Sequence, residues 1–286
     1  MNLQETAIKH YLKTQVREEI ADFCRGRWVA LHLADEKSTL LFRRYLHGKP
    51  VTIQSLEDFQ KLIKNFGQRV RSIYATANVY KFNTQPIAHK PSLDDVIACT
   101  PTWDIDNDPT RWRDTIEIAR EIVAILEEYG IKESTYIKWS GRGCHVHIHE
   151  RAISPEILKE AHPLDFAYAI VEYVNMKIAE KHSVANLKIE NRMDAGRVFT
   201  CPLSLHRELN VVCICMKPND LDNFSPEWIK PDDFRHNPNW RVFITGEADD
   251  LAMKAYKLIG GYPLRGGKKE RKKKLDEQII EWLSKS

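Results

Sequence analysis

Tyr136-Ile137-Lys138-Trp139-Ser140-Gly141-Arg142-Gly143-Cys144-His145-Val146-His147-Ile148-His149 reads as two short strands around a turn whose glycines can take positive φ. On the second strand Cys144, Val146 and Ile148 share one face, and His145, His147 and His149 share the other. That polar face supports three readings. Imidazoles two residues apart can meet one Zn²⁺; a solvent-facing strand can simply carry histidines; or the turn forms a phosphate cradle from the N–H groups freed by Gly141 and Gly143, the Ser140 hydroxyl, the Arg142 guanidinium and the His145 ring.

Upstream, Trp103-Asp104-Ile105-Asp106 puts two carboxylates on one face of a strand while Ile105 points into the core. Carboxylate oxygens so paired suit hard divalent cations such as Mg²⁺ or Mn²⁺. Asp108-Pro109 then caps a helix, with Trp112, Ile116, Ala119, Val123 and Leu126 at helical spacing up to Gly130. Further out, the patterning predicts a helix over 3–23, a strand over 28–33 with a hairpin partner at 39–46, and a helix capped by Ser55 and ended by Gly67. Strands are expected over 70–80 and 96–106, a helix over 164–181, strand-like runs between 187 and 216, and a polar, proline-punctuated loop over 218–239. The elements interleave without a regular βαβ cadence, which predicts a mixed α+β architecture.

The 286 residues are 43% hydrophobic and 29% charged, an ordinary globular composition that excludes a wholly disordered or disulfide-stapled chain. No long apolar run and no signal-like N-terminus is present, so a cytoplasmic protein with no membrane partner and reduced cysteines is expected. The net charge of +3 hides a segment from Arg265 to Lys274 with seven basic residues and one acid. The organisation expected is one body over 1–264, a basic linker over 265–274 that suits a polynucleotide contact, and an amphipathic C-terminal helix within 275–286.

Asp104-x-Asp106, then Ser140-Gly141-Arg142-Gly143-x-His145-Val146-His147, then Pro202-x-Ser204-Leu205-His206 resembles the motif series of the archaeo-eukaryotic primase superfamily, specifically the archaeal primase small (catalytic) subunit. Ile73 to Tyr80 resembles the strand that family places before its acidic pair. The resemblance implies a primase-like catalytic core of two interlocked α/β subdomains with the site in their cleft, and an RRM-like C-terminal unit. It also implies a template-directed nucleotidyltransferase, a DNA primase or polymerase of replication or repair. Asp104 and Asp106 would bind two Mg²⁺ or Mn²⁺ ions with a third acid, either Asp194 or Glu190. Ser140, Arg142 and His145 would grip the triphosphate, with Arg197 and His206 as further contacts. The implied partners are a single-stranded DNA template, NTP or dNTP, and a primase large subunit.

The pattern departs from the family in two places. The position of the family's third acid falls near Lys188, with Glu190 and Asp194 at the same strand parity; Thr200 stands where a second basic residue is usual, and Arg207-Glu208-Leu209-Asn210 replaces the usual motif ending. A catalytically degenerate, DNA-binding subunit is therefore the alternative reading. Residues 107–139 contain no cysteine or histidine, so the family's zinc module cannot be built there, and Cys213 and Cys215 read as buried strand residues; no zinc is expected.

Overall fold

The computed structural model describes residues 3–34, 39–67, 69–82, 92–181, 191–194 and 196–263. In chain order the helices are α1 (Leu3–Tyr11), α2 (Thr14–Cys24), α3 (Leu56–Phe66), α4 (Trp112–Glu128), α5 (Pro163–Lys181) and α6 (Asp249–Ile259). The strands are β1 (Val29–Ala34), β2 (Leu40–Arg43), β3 (Tyr45–Leu46), β4 (Lys49–Pro50), β5 (Val70–Thr76), β6 (Asn78–Tyr80), β7 (Val96–Cys99), β8 (Thr102–Ile105), β9 (Thr135–Trp139), β10 (Cys144–Ile148), β11 (Val198–Thr200) and β12 (Ile214–Met216). Two four-stranded antiparallel sheets dominate, ordered β11-β5-β1-β2 and β12-β9-β10-β8; β3–β4 and β6–β7 are small ribbons. This is the mixed α+β architecture that the interleaving of elements predicts.

The second sheet is two-faced, as period-2 patterning requires. Trp103, Ile105, Ile137, Trp139, Cys144, Val146, Ile148, Ile214 and Met216 are buried on the face that meets α4 and α5, where the Trp103 indole donates to the Val171 carbonyl at 3.3 Å. The opposite face carries Thr102, Asp104, Tyr136, Lys138, His145 and His147. It does not look into water: Phe199 of β11 packs on the His145 ring at 4.9 Å, and the Lys138 ammonium nitrogen lies 5.0 Å from the Phe23 ring centre and 5.5 Å from that of Phe199. A polar layer is thus enclosed between the second sheet and β11 and α2.

Arg27 anchors this junction. Its guanidinium donates to the Thr76 and Ala77 carbonyls and to Thr100 Oγ1, and pairs with Glu150 at 2.9 Å. Burial alone would raise the Glu150 carboxyl; Arg27, His149 and the Thr100 hydroxyl outweigh it and bring its pKa down to about 2.

Several boundaries differ from the sequence reading. The helix expected over 3–23 breaks between Tyr11 and Thr14. The strand expected over 70–80 divides at Ala77, whose N–H bonds the Arg197 carbonyl while its own carbonyl goes to Arg27, and the run over 96–106 divides at Pro101, which has no N–H for a ladder. Helix α6 was not anticipated, although Leu251, Ala252 and Ala255 are buried at helical spacing and Gly260 ends it at φ +85°. The basic run over 265–274 and the helix expected within 275–286 lie outside the described residues. No helix among the described residues is long and apolar enough to cross a membrane.

Replacing Arg27 by Met strands Glu150 as an uncompensated buried charge and is expected to cost about 3–5 kcal/mol, measured by urea unfolding at pH 7. A loss below about 1 kcal/mol, the size of an ordinary substitution, would show that the pair does not hold the junction.

Candidate active site

Both glycines of the β9–β10 turn are required by close approach. The hairpin closes with Ser140 N–H donating to the Gly143 carbonyl at 3.1 Å. A Cβ at Gly143 would lie 2.0 Å from the Ile105 carbonyl oxygen, and one at Gly141, where φ is +133°, would lie 2.9 Å from Cδ2 of His206. The turn is therefore pressed between the end of β8, which carries the acid pair, and the loop that carries His206. That loop is fixed in turn by Arg71, whose guanidinium donates to the Arg207 and Leu209 carbonyls.

His206 Nδ1 accepts from Glu208 N–H at 3.1 Å and Leu209 N–H at 2.9 Å. Burial, reinforced by Arg207, lowers its pKa to about 4. The ring is thus neutral at pH 7 and carries its proton on Nε2, as a hydrogen-bond donor beside the turn. Arg142 is half exposed and pairs with Glu208 at 2.8 Å.

The acid pair sits where β8 and β10 run side by side with His145 opposite Asp104. One Asp104 oxygen meets His145 Nε2 at 3.1 Å and the other meets Arg192 Nη1 at 3.0 Å; the same Arg192 nitrogen lies 3.4 Å from Asp106 Oδ2. The Asp104 side chain is only 10% exposed and that of Asp106 65%, so the pair bridges interior and solvent. Burial pushes the Asp104 carboxyl up, but His145, Arg192 and Arg197 overcome this and bring its pKa from 3.8 to about 2.

Asp194 and Arg197 flank this cluster. Asp194 accepts from Gly196 N–H at 2.7 Å and pairs with Arg197 at 3.2 Å, and Arg197 Nε donates to the Arg192 carbonyl at 2.8 Å. Arg44 donates to the Gly196 carbonyl at 2.9 Å. Asp194 is thus engaged with its own loop, and Glu190 lies outside the described residues. Among the described residues no group of three or more His, Cys, Asp or Glu side chains is arranged to hold a metal ion.

The three histidines of β10 and its end each meet a different partner, and their burial removes the solvent-facing reading. Thr102 Oγ1 donates to the Thr100 carbonyl, so His147 Nδ1 donates to Thr102 at 2.8 Å, while His149 Nδ1 accepts from Arg151 N–H and its ring stacks on Phe243 at 4.4 Å. Desolvation lowers the pKa of both His147 and the fully buried Lys138. Arg192 and Lys138 were not singled out from sequence. Only the neighbourhood of Arg192 to the Asp194–Arg197 pair offered a signal.

Comparison with solved structures matches this chain to the polymerase domain from Mycobacterium tuberculosis Ligase D in complex with DNA, at a TM-score of 0.59 and 12% sequence identity, over 92% of this chain and 91% of that one. The chain therefore has a primase/polymerase-like fold. No family model matches the sequence, and no curated protein matches it.

Because the folded-state pKa of Asp104 is depressed, its stabilising contribution is complete above the ordinary value of 3.8 and is lost as pH falls through about 2. The stability difference between the wild type and Asp104→Asn should therefore shrink by about 2 kcal/mol between pH 4 and pH 2, read from denaturant unfolding across that window. A pH-independent difference would contradict the charge compensation described for this site.

Proposed function

We propose that this protein is a template-directed nucleotidyltransferase acting on DNA in replication or repair, in which a 3′-hydroxyl attacks the α-phosphate of a bound nucleoside triphosphate and pyrophosphate leaves. The observation that carries this reading is the meeting of the Asp104–Asp106 pair with the Gly141–Gly143 turn through backbone contact at Ile105, on a fold similar to a polymerase domain. The motif resemblance over Asp104 to His206 points the same way. That neighbour was solved with DNA, which supports a DNA template here.

Phosphoryl transfer asks a protein for positioning and charge neutralisation more than for a covalent nucleophile. The Ser140 and Arg142 side chains and the Nε2–H of His206 border one turn and are read as its triphosphate contacts, with Arg197 at its edge. His145 is read as orienting Asp104. Converging hard oxygens fit Mg²⁺ or Mn²⁺, with Asp104 and Asp106 as ligands and Asp194 or Glu190 as the third. When bound, such ions would neutralise charge on the phosphates and lower the pKa of the attacking hydroxyl. The second sheet with α4 and α5 is read as the counterpart of the RRM-like unit, but it departs from that pattern: β11 intervenes in the chain before β12, and β12 lies beside β9 and not beside β8.

Primed single-stranded template with labelled NTPs or dNTPs and Mg²⁺ or Mn²⁺ should give extension products, and Asp104→Ala combined with Asp106→Ala should abolish them. No extension in any combination would favour the non-catalytic DNA-binding subunit, and full activity in the double variant would remove the acid pair from the chemistry. Glu208→Ala frees Arg142 and should lower the nucleotide KM up to about fivefold at unchanged kcat, the scale of an exposed ion pair. An unchanged or raised KM would show that Arg142 does not serve the nucleotide.

A further inference from the structure

The Arg192 guanidinium stands where both carboxylates point. Its Nη1 is 3.0 Å from Asp104 Oδ2 and 3.4 Å from Asp106 Oδ2, and no other cationic nitrogen among the described residues is recorded within ion-pair distance of both acids. We propose that Arg192 is a resident counter-cation of the acid pair, which a divalent ion must displace, so that the triphosphate, by taking over the released guanidinium, couples nucleotide binding to metal binding. This rests on the nucleotidyltransferase reading above and adds to it an assigned role for Arg192 and an order of binding.

The backbone and the side chain of Arg192 are held differently. On the backbone side, its carbonyl accepts from Arg197 Nε at 2.8 Å, and Asn191 is tied to the Tyr168 carbonyl and the Glu172 carboxylate and accepts from Met193 N–H. Met193 is buried. The side chain is 35% exposed, so its guanidinium can leave the acids without moving the segment that carries it. Arginine is suited to this exchange because its planar fork matches carboxylate and phosphate equally, and it keeps its charge at any working pH.

Charge makes the two cations exclusive. A divalent ion held by Asp104 and Asp106 would compete with Arg192 for these carboxylates and would repel its guanidinium. A divalent ion alone displaces the guanidinium and offers it no anion in return, so the exchange is poorly driven. A triphosphate beside the Gly141–Gly143 turn supplies an anion to receive it, and linkage then requires that metal and nucleotide each tighten the other.

The test is titration with Mn²⁺, followed by the electron paramagnetic resonance signal of the free aquo-ion, with and without a non-hydrolysable nucleoside triphosphate analogue. Wild type, Arg192→Gln and Arg192→Lys are compared, with Asp104→Asn plus Asp106→Asn as the blank and thermal unfolding as the check on folding. Wild type should bind Mn²⁺ weakly alone and about tenfold more tightly with nucleotide, within the range usual for coupled sites. Arg192→Gln should bind Mn²⁺ about tenfold more tightly than wild type without nucleotide and lose most of the coupling. Arg192→Lys, which keeps the charge but not the fork, should fall between them and carries the test if the Gln variant does not fold. If wild type takes up Mn²⁺ with nucleotide while neither variant gains affinity without it, the role of Arg192 is overturned and the nucleotidyltransferase reading stands. If no protein takes up Mn²⁺ under either condition, that reading is overturned and this inference with it.

Discussion

The register that sets His145 directly across from Asp104 is the constraint on which the rest of the site depends. A one-residue slip of β8 along β10 would turn Asp104 to the α4–α5 face and bring apolar side chains of β8 such as Ile105 to the junction of the sheets. Gly143 enforces the register sterically, since its backbone lies against the Ile105 carbonyl where a Cβ would collide at 2.0 Å. The turn read from sequence as a phosphate cradle is therefore a register lock, and close approach alone requires glycine there. Asp104 adds an electrostatic lock, because His145 and Arg192 reach its two oxygens from different segments of the chain.

A polar layer between packed elements is costly unless its members are matched. Arg27 finds four acceptors, including the Glu150 carboxylate, and so joins the end of β5 to the segment after β10. Lys138 meets the cost differently: burial drives it toward the neutral amine, and the rings of Phe23 and Phe199 enclose it. These arrangements fix how β11 lies over the second sheet. Arg192, Asp194 and Arg197 belong to the segment leading into β11, so the packing of Phe199 on His145 carries them to the mouth of the site.

Local pattern made much of this legible. Strand parity put Asp104 and Asp106 on one face and Ile105 on the other, and the paired strands around Gly141–Gly143 follow from alternation and turn chemistry. Ser55 caps α3 by accepting from Asp58 N–H, as its spacing suggests. What pattern could not reach was long-range partnership. The side chain of Arg71 is engaged by the Arg207 and Leu209 carbonyls, whose place beside it is fixed by tertiary packing and not by any local spacing. The same limit hid Arg192, whose partners lie 86 and 88 positions upstream. The histidine face of β10 was legible as a face; its burial was not, since alternation alone does not say whether a polar face meets water or another layer of protein.

Charge at the site mouth is balanced rather than one-sided. Asp104, Asp106 and Asp194 are interleaved with Arg44, Arg192 and Arg197, and His145 adds a further donor to Asp104. A bare acid pair beside the Gly141–Gly143 turn would repel any phosphate that approached the turn. Arginines threaded between the acids cancel that repulsion and can turn toward phosphate oxygens without a change of protonation. The +3 of the whole chain reports nothing of this balance. What matters is that the three arginines and three aspartates come from chain segments that only the packing of β11 against the second sheet brings together.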